Sequence, residues 1–256
     1  MTRVLSGVVL AAAALAAILY LPPVALQILV ALVAAAAAFE YLGLIGMSDR
    51  RGIHVGYLSV VGITAWLVSQ AGAGLVPWIM LLVAGTQTLF IKRYTTQQHI
   101  LSAFAILYIG MPLGMLAVLN INHGWRATVL LIATVVVSDS LQFYTGRMFG
   151  RRPLAPAISP KKTIEGAIGG VIAGTVFMVL AGPYVFPTMP PAMLALLGFG
   201  MVLLGIMGDL FESRLKREAH VKDSGSLIPG HGGVLDRIDA LLFVTPLFVM
   251  AAGVAR

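Results

Sequence analysis

The sequence predicts an all-α, polytopic integral membrane protein with about nine transmembrane helices and its chemistry in cytoplasmic loops. Three observations predict this class. Hydrophobic residues make up 59% of the 256 residues, and the mean hydropathy is +0.95. Only 11% of the residues are charged, where a soluble domain carries roughly 25%. Nine stretches come close to the apolar length of about 20 residues that a helix needs to cross the hydrocarbon core. A single soluble core of this size could not hide so much apolar surface. The composition therefore excludes an ordinary soluble enzyme, a disordered chain and a disulfide-stapled secreted domain. With no cysteine there is no disulfide, no thiol nucleophile and no Cys-ligated zinc.

The expected spans are 4–21, 24–45, 55–71, 75–91, 101–119, 127–145, 164–182, 192–212 and 239–254. Pro22-Pro23 separates the first pair, and Gly72 to Gly74 separates the third from the fourth. Pro183, Pro187, Pro190 and Pro191 mark the link between the seventh and eighth. The first stretch, with Arg3 at its start, is read as an anchor rather than a signal peptide, because no small-x-small site leads into a polar segment. No internal repeat or low-complexity linker stands out beyond the Ala-rich run 34–38. We divide the chain into N-terminal transmembrane helices, 1–130, and a C-terminal catalytic region, 131–256.

Nine spans place 15 of the 17 basic residues on one side of the membrane. Arg50, Arg51, Lys92, Arg93 and the long loops lie on that side, and only Arg126 and Arg256 on the other. The positive-inside rule makes the first side cytoplasmic. It also accounts for the pI of about 10.0 without nucleic acid.

The windows 138–165 and 209–239 hold 18 of the 27 charged residues and eight of the ten acids. Asp139 and Asp209 each follow an apolar run. A carboxylate there costs a few kcal/mol or more unless it is paired or holds a cation, so each is half of a structural ion pair, a snorkelling end residue or functional. Gly205 and Gly208 leave room for another group to come close to Asp209. Asp236 and Asp239 open the last span at spacing i, i+3 and share a helix face. Just before them, the turn Pro229-Gly230-His231-Gly232-Gly233 could bring backbone N–H groups up to phosphate oxygens. Carboxylates hold hard divalent cations, and Lys and Arg neutralise phosphate. Interleaved, they are equipment for phosphoryl or nucleotidyl transfer. The Walker-A, HExxH and G-x-S-x-G patterns are absent. Glu40, in the second span and outside both windows, is expected to stand apart from the chemistry.

Ser213 to Asp239 keeps the pattern S-x-x-K-R-x4-K-D, then P-G-H-G-G, then D-R-x-D. This closely resembles the signature of the phosphatidate cytidylyltransferase (CDP-diacylglycerol synthase) family. Ser159-Pro160-Lys161-Lys162-Thr163-Ile164-Glu165-Gly166 is similar to the family's S-P-K-K-T-x-E-G segment, and Asp139-Ser140 to its D-[ST] pair. Leu141-Gln142 departs from the Gly-Ala expected next. The resemblance is specific over 138–239; residues 1–130 match only in being apolar and multispanning.

The resemblance implies transfer of CMP from CTP to phosphatidic acid, giving CDP-diacylglycerol and pyrophosphate in phospholipid biosynthesis. It implies Mg²⁺, with a second cation left open, and a multi-pass place in the cell's inner (cytoplasmic) membrane with the site on the cytoplasmic side. Asp209 and Asp236 are its first choices as metal ligands, with Asp239 and Asp223 next. The basic residues Lys161, Lys162, Lys216, Arg217, Lys222 and Arg237 would bind the CTP or lipid phosphates. Ser159, Ser213 and Asp139 would line the substrate site, and Gly230, Gly232 and Gly233 would let backbone reach the nucleotide. His231 would contact a phosphate or deprotonate the lipid phosphate; the sequence leaves both open. The partners implied are CTP, phosphatidic acid and the bilayer, without nucleic acid; a homodimer is admitted but not required. A polyprenol kinase, an ether-lipid cytidylyltransferase and, more distantly, a cation- or proton-coupled transporter are the competing readings.

Overall fold

A computed structural model of the chain describes residues 2–47, 51–92, 94–228, 230 and 232–254. His231, Pro229, Arg50, Arg93 and Arg256 lie outside the described residues. The fold is all-α apart from one small hairpin. The helices are α1 (Thr2–Tyr20), α2 (Pro23–Leu44), α3 (Arg51–Ala71), α4 (Val76–Phe90), α5 (Thr96–Ala105), α6 (Met111–Phe149), α7 (Ile164–Ala181), α8 (Pro191–Glu218) and α9 (Leu235–Val254).

Among the described residues, six helical segments are long and apolar enough to cross a membrane. Two shorter apolar helices, Gly7–Tyr20 and Leu58–Ala71, fall where spans were expected at 4–21 and 55–71. The expected spans 101–119 and 127–145 lie in one helical run, Thr96–Phe149. That run is broken twice. A π-helical turn occupies Ile106–Gly110, and Gly124, at φ 77° and ψ 172°, leaves the helical region within α6. Only glycine takes such a dihedral pair without strain. The chain is a multi-pass membrane protein.

By contact the chain forms two compact units, Met1–Ile121 with Glu218–Ile238, and Asn122–Arg217 with Asp239–Arg256. In the first unit, small residues bring helices together. A side chain at Gly62 on α3 would meet the Ala31 carbonyl of α2 at 3.1 Å, and one at Gly114 on α6 would meet the Ala65 carbonyl of α3 at 2.5 Å. Fully buried Tyr41 donates from its hydroxyl to the Leu101 carbonyl at 3.1 Å and lies 5.8 Å from the Tyr108 ring. Thr95 and Gln98 close a capping box at the start of α5.

In the second unit the buried stripe of α7 is Gly166, Gly170, Gly174 and Met178, each four residues from the next. Such small-xxx-small spacing lets helix backbones approach closely in a membrane. The stripe faces α6: added carbons at Gly166 and Gly170 would stand 2.8 Å from the Gln142 carbonyl and 3.0 Å from the Ser138 carbonyl. Between α6 and α7 the chain does not form a plain loop. It makes an antiparallel hairpin of β1 (Pro153–Ala155) and β2 (Ser159–Thr163). The Glu165 carboxylate anchors it by accepting the Arg151 and Arg152 amides at 3.0 and 3.2 Å. Thr163 then caps α7 by accepting the Gly166 amide at 3.1 Å. A hydropathy reading cannot find so short and polar a hairpin.

Candidate active site

In the second unit, four elements deliver charge to one place. Asp139 and Arg147 come from α6, Lys161 and Lys162 from β2, Asp209 from α8, and Asp239 from α9. A cavity of about 380 Å³ is lined by Asp139, Gln142, Arg147, Lys161, Lys162, Thr163 and Asp209, among others. The hairpin carries the two lysines to the cavity, and the α7 glycine stripe holds that wall against α6.

Lys162 Nζ forms an ion pair with Asp209 Oδ2. Ser213, one turn on, donates its hydroxyl to Asp209 Oδ1 at 3.3 Å. Asp139 Oδ1 accepts from Gln142 Nε2 at 3.2 Å. The room left by Gly208 is filled by α9: an added carbon there would lie 2.6 Å from the Asp239 carbonyl and 3.2 Å from Ala240 Cα. That approach brings Asp239 within electrostatic reach of Asp209, Asp139 and Lys216. Lys216 Nζ pairs with Glu212 at 2.5 Å, and Glu212 is 1% exposed. Arg217 Nε donates to the Ile158 carbonyl at 3.2 Å, tying the end of α8 to the hairpin turn.

The donors at this cavity are carboxylates and a hydroxyl, the oxygen set a hard cation takes. Among the described residues no three His, Cys, Asp or Glu side chains gather into a cage. Mg²⁺ is usually held by one or two carboxylates together with water and substrate phosphates, and Asp139 and Asp209 are the two carboxylates that line the cavity.

The glycine-rich turn belongs to the first unit. Gly230 and Gly232 have φ 77° and 85°, in the left-handed region, and the Ile228 amide donates to the Gly232 carbonyl at 3.0 Å to close the turn. Asp236 Oδ2 accepts from the Ser224 amide at 2.9 Å, the Ser224 hydroxyl at 3.0 Å and the Gly233 amide at 2.8 Å. Lys222, Asp223 and Arg237 lie at the surface.

The comparisons with known proteins agree with this equipment. A model of the cytidylyltransferase family matches residues 1–254. The chain belongs to the cytidylyltransferase family. It is 37% identical over 171 residues to a phosphatidate cytidylyltransferase of Bacillus subtilis, covering 63% of this chain and 61% of that protein. It is 35% identical over 163 residues to one from Thermotoga maritima, covering 60% of each. It is 40% identical over 149 residues to an uncharacterized Escherichia coli protein, YnbB, covering 58% of this chain and 49% of that one. In each case the chain spans less than two thirds of the relative's length.

Within this family member, the structure brings Asp139, Lys161, Lys162 and Asp209 to one cavity, with the Ser213 hydroxyl bonded to Asp209 and Asp239 within its electrostatic reach. Ser159 sits half-buried at the start of β2. Asp236, Gly232 and Gly233 form the turn of the first unit together with Ser224. His231, the residue left between two roles, falls outside the described residues.

One part of the sequence reading changes. The Gly233 amide donates to Asp236 Oδ2, and the missing side chain of Gly233 makes room for Ser224 and Glu40. Glu40 does not stand apart. It is 4% exposed and accepts three hydrogen bonds from the signature segment, from Ser224, Val234 and Leu235. Sequence separation hid this contact. The one available signal was a single carboxylate inside a span, which needs a partner. Gln142, which departs from the family pattern, bonds both Asp139 and Ser138.

Proposed function

We propose that this chain is a phosphatidate cytidylyltransferase, transferring CMP from CTP to phosphatidic acid to give CDP-diacylglycerol and pyrophosphate. The observation that carries the reading is the cavity where Asp139 and Asp209 stand beside Lys161, Lys162 and Arg147 at the polar end of apolar helices. The names of the Bacillus and Thermotoga relatives supply the substrate.

In the reaction an oxygen of the lipid phosphate attacks the α-phosphorus of CTP. A new P–O bond forms, the bond to the oxygen bridging the β-phosphorus breaks, and pyrophosphate leaves with that electron pair. The lipid phosphate is a monoester with a second pKa near 6, so at neutral pH it is already largely dianionic. A general base is therefore not required, and we give His231 a phosphate contact. Lys161, Lys162 and Arg147 place positive charge on the walls of the cavity, where two polyanionic substrates must meet. Positioning and charge neutralisation supply most of the rate in such transfers.

Asp209 and Asp239 would hold Mg²⁺, which when bound neutralises charge on the transferring phosphoryl group. Asp236 orders the turn through three hydrogen bonds, and Asp236→Asn tests whether it also reaches the cation. The basic asymmetry of the loops supports a place in the inner (cytoplasmic) membrane with the cavity on the cytoplasmic side, where CTP is available and the lipid is in the leaflet.

The test is an assay of purified protein in detergent with phosphatidic acid, labelled CTP and Mg²⁺. Labelled CDP-diacylglycerol and stoichiometric pyrophosphate are expected. Turnover with a polyprenol but none with phosphatidic acid would assign the chain to kinase chemistry instead.

A further inference from the structure

We infer that Glu40 is a positioning residue for the reaction, a clamp in the second span that sets the shape of the 224–235 turn. The inference rests on the cytidylyltransferase reading, because that reading makes the turn part of the catalytic region. Every bond of the clamp lies within the first unit.

The need begins at α9. The first amides of a helix have no partner inside it. At α9 two of these positions are filled from α2: Val234 N–H donates to Glu40 Oε1 at 2.9 Å, and Leu235 N–H donates to Glu40 Oε2 at 2.8 Å. A carboxylate at a helix N-terminus is also favoured by the helix dipole. Glu40 therefore caps α9 from a helix almost two hundred residues earlier in the chain. The same Oε2 accepts the Ser224 hydroxyl at 2.9 Å, so Glu40 fastens both ends of the turn at once.

The turn is built to receive it. An added carbon at Gly225 would lie 2.6 Å from Glu40 Oε1, and one at Gly233 would collide with Glu40 Oε2 and Ser224 Oγ. These two glycines are thus explained by the approach of a protein carboxylate, without invoking a ligand. Glu40 is almost fully buried in an apolar helix, where an uncompensated charge costs a few kcal/mol or more. Three directed hydrogen bonds offset that cost only while the turn keeps this shape. The segment so held is flanked by Lys222 and Asp223 on one side and by Asp236 and Arg237 on the other.

Glutamine cannot replace Glu40. Both carboxylate oxygens accept bonds, and an amide would turn an NH₂ donor toward the Val234 or Leu235 amide.

The experiment combines steady-state kinetics, thermal unfolding and hydrogen–deuterium exchange on the full chain in detergent. With Glu40→Gln, kcat should fall about a hundredfold, the scale of a 1 Å misplacement, while KM for phosphatidic acid stays within about twofold. Amides of 224–235 should exchange about tenfold faster, as expected for losing a hydrogen bond, with α2 and α3 unchanged. Ser224→Ala removes one bond of the clamp together with the hydroxyl's bond to Asp236, and serves where Glu40→Gln folds poorly. Its amides should also exchange faster at 224–235, and its effect on kcat should not multiply with that of Glu40→Gln. A lowered Tm with kcat per folded molecule unchanged, or normal exchange at 224–235 in either variant, would overturn the clamp. If the wild type makes no CDP-diacylglycerol, the proposed function fails, while the exchange measurement still decides for or against Glu40.

Discussion

The ammonium of Lys162 is paired with the carboxylate of Asp209, joining a two-stranded hairpin to the polar end of α8. Each belongs to a separate charged window, and neither window alone reveals the pairing. Both side chains are partly exposed, at 22% and 35%, so the pair contributes only about 0–1 kcal/mol to stability. Its position at the cavity, more than its strength, is what the proposed reaction would use.

Asp209→Asn should therefore separate activity from stability. It keeps the shape of the side chain and loses the charge expected to hold Mg²⁺. Turnover should drop by about 10³-fold or more, since metal stabilisation of the phosphoryl group is worth several kcal/mol, while unfolding in detergent shifts by less than about 1 kcal/mol. Near-normal turnover at limiting Mg²⁺ would make Asp209 a structural ion-pair partner of Lys162.

Asp236→Asn asks a different question from Glu40→Gln. All three donors to Asp236 reach the same oxygen, Oδ2, so an asparagine carbonyl can take its place. The turn should keep its exchange protection. Activity should still fall about a hundredfold or more if the lost charge faces a divalent cation, and higher Mg²⁺ should recover part of it. Full activity in the Asn variant, with loss in Asp236→Ala, would confine Asp236 to ordering the turn.

Glycines in this chain divide by what surrounds them, and stability measurements can show it. Gly170→Ala puts a carbon 3.0 Å from the Ser138 carbonyl and against the Gln142 side chain. It should destabilise by about 1–3 kcal/mol, the usual range for overpacking. Gly85, within α4, has nothing within 4 Å of an added carbon. Gly85→Ala should stabilise by about 0.5–1 kcal/mol through helix propensity. Opposite signs in detergent thermal unfolding would support the α6–α7 contact; equal effects would argue against it.

Topology can be read with single cysteines, because the chain has none to remove. Position 225 is unsuitable, since a side chain there would strike Glu40. Ala157, exposed in the hairpin turn, and Tyr184, 84% exposed after α7, are better sites. The basic asymmetry predicts that Ala157→Cys reacts with an impermeant maleimide only from the cytoplasmic side, and Tyr184→Cys only from outside. The reverse pattern would invert the orientation and remove the cavity from the CTP pool.

Composition and hydropathy alone determined that this is a helical membrane protein, because a membrane span must satisfy its backbone internally and present apolar side chains. Local spacing was enough to find the signature at 213–239, the lysines at 161 and 162, and the room left by Gly205 and Gly208, because each lies within a short window of sequence. Only the tertiary structure could decide what occupies that room, which is the α9 backbone at Asp239–Ala240 beside Gly208 and the Ala240 and Val244 side chains beside Gly205. It also paired Lys162 with Asp209 through a hairpin too short and polar to leave a periodic signal. Above all it moved Glu40 from a bystander to the carboxylate that fastens the signature turn. A buried charge must find donors somewhere in the fold, and hydrophobic patterning shows that it needs them without showing where they are.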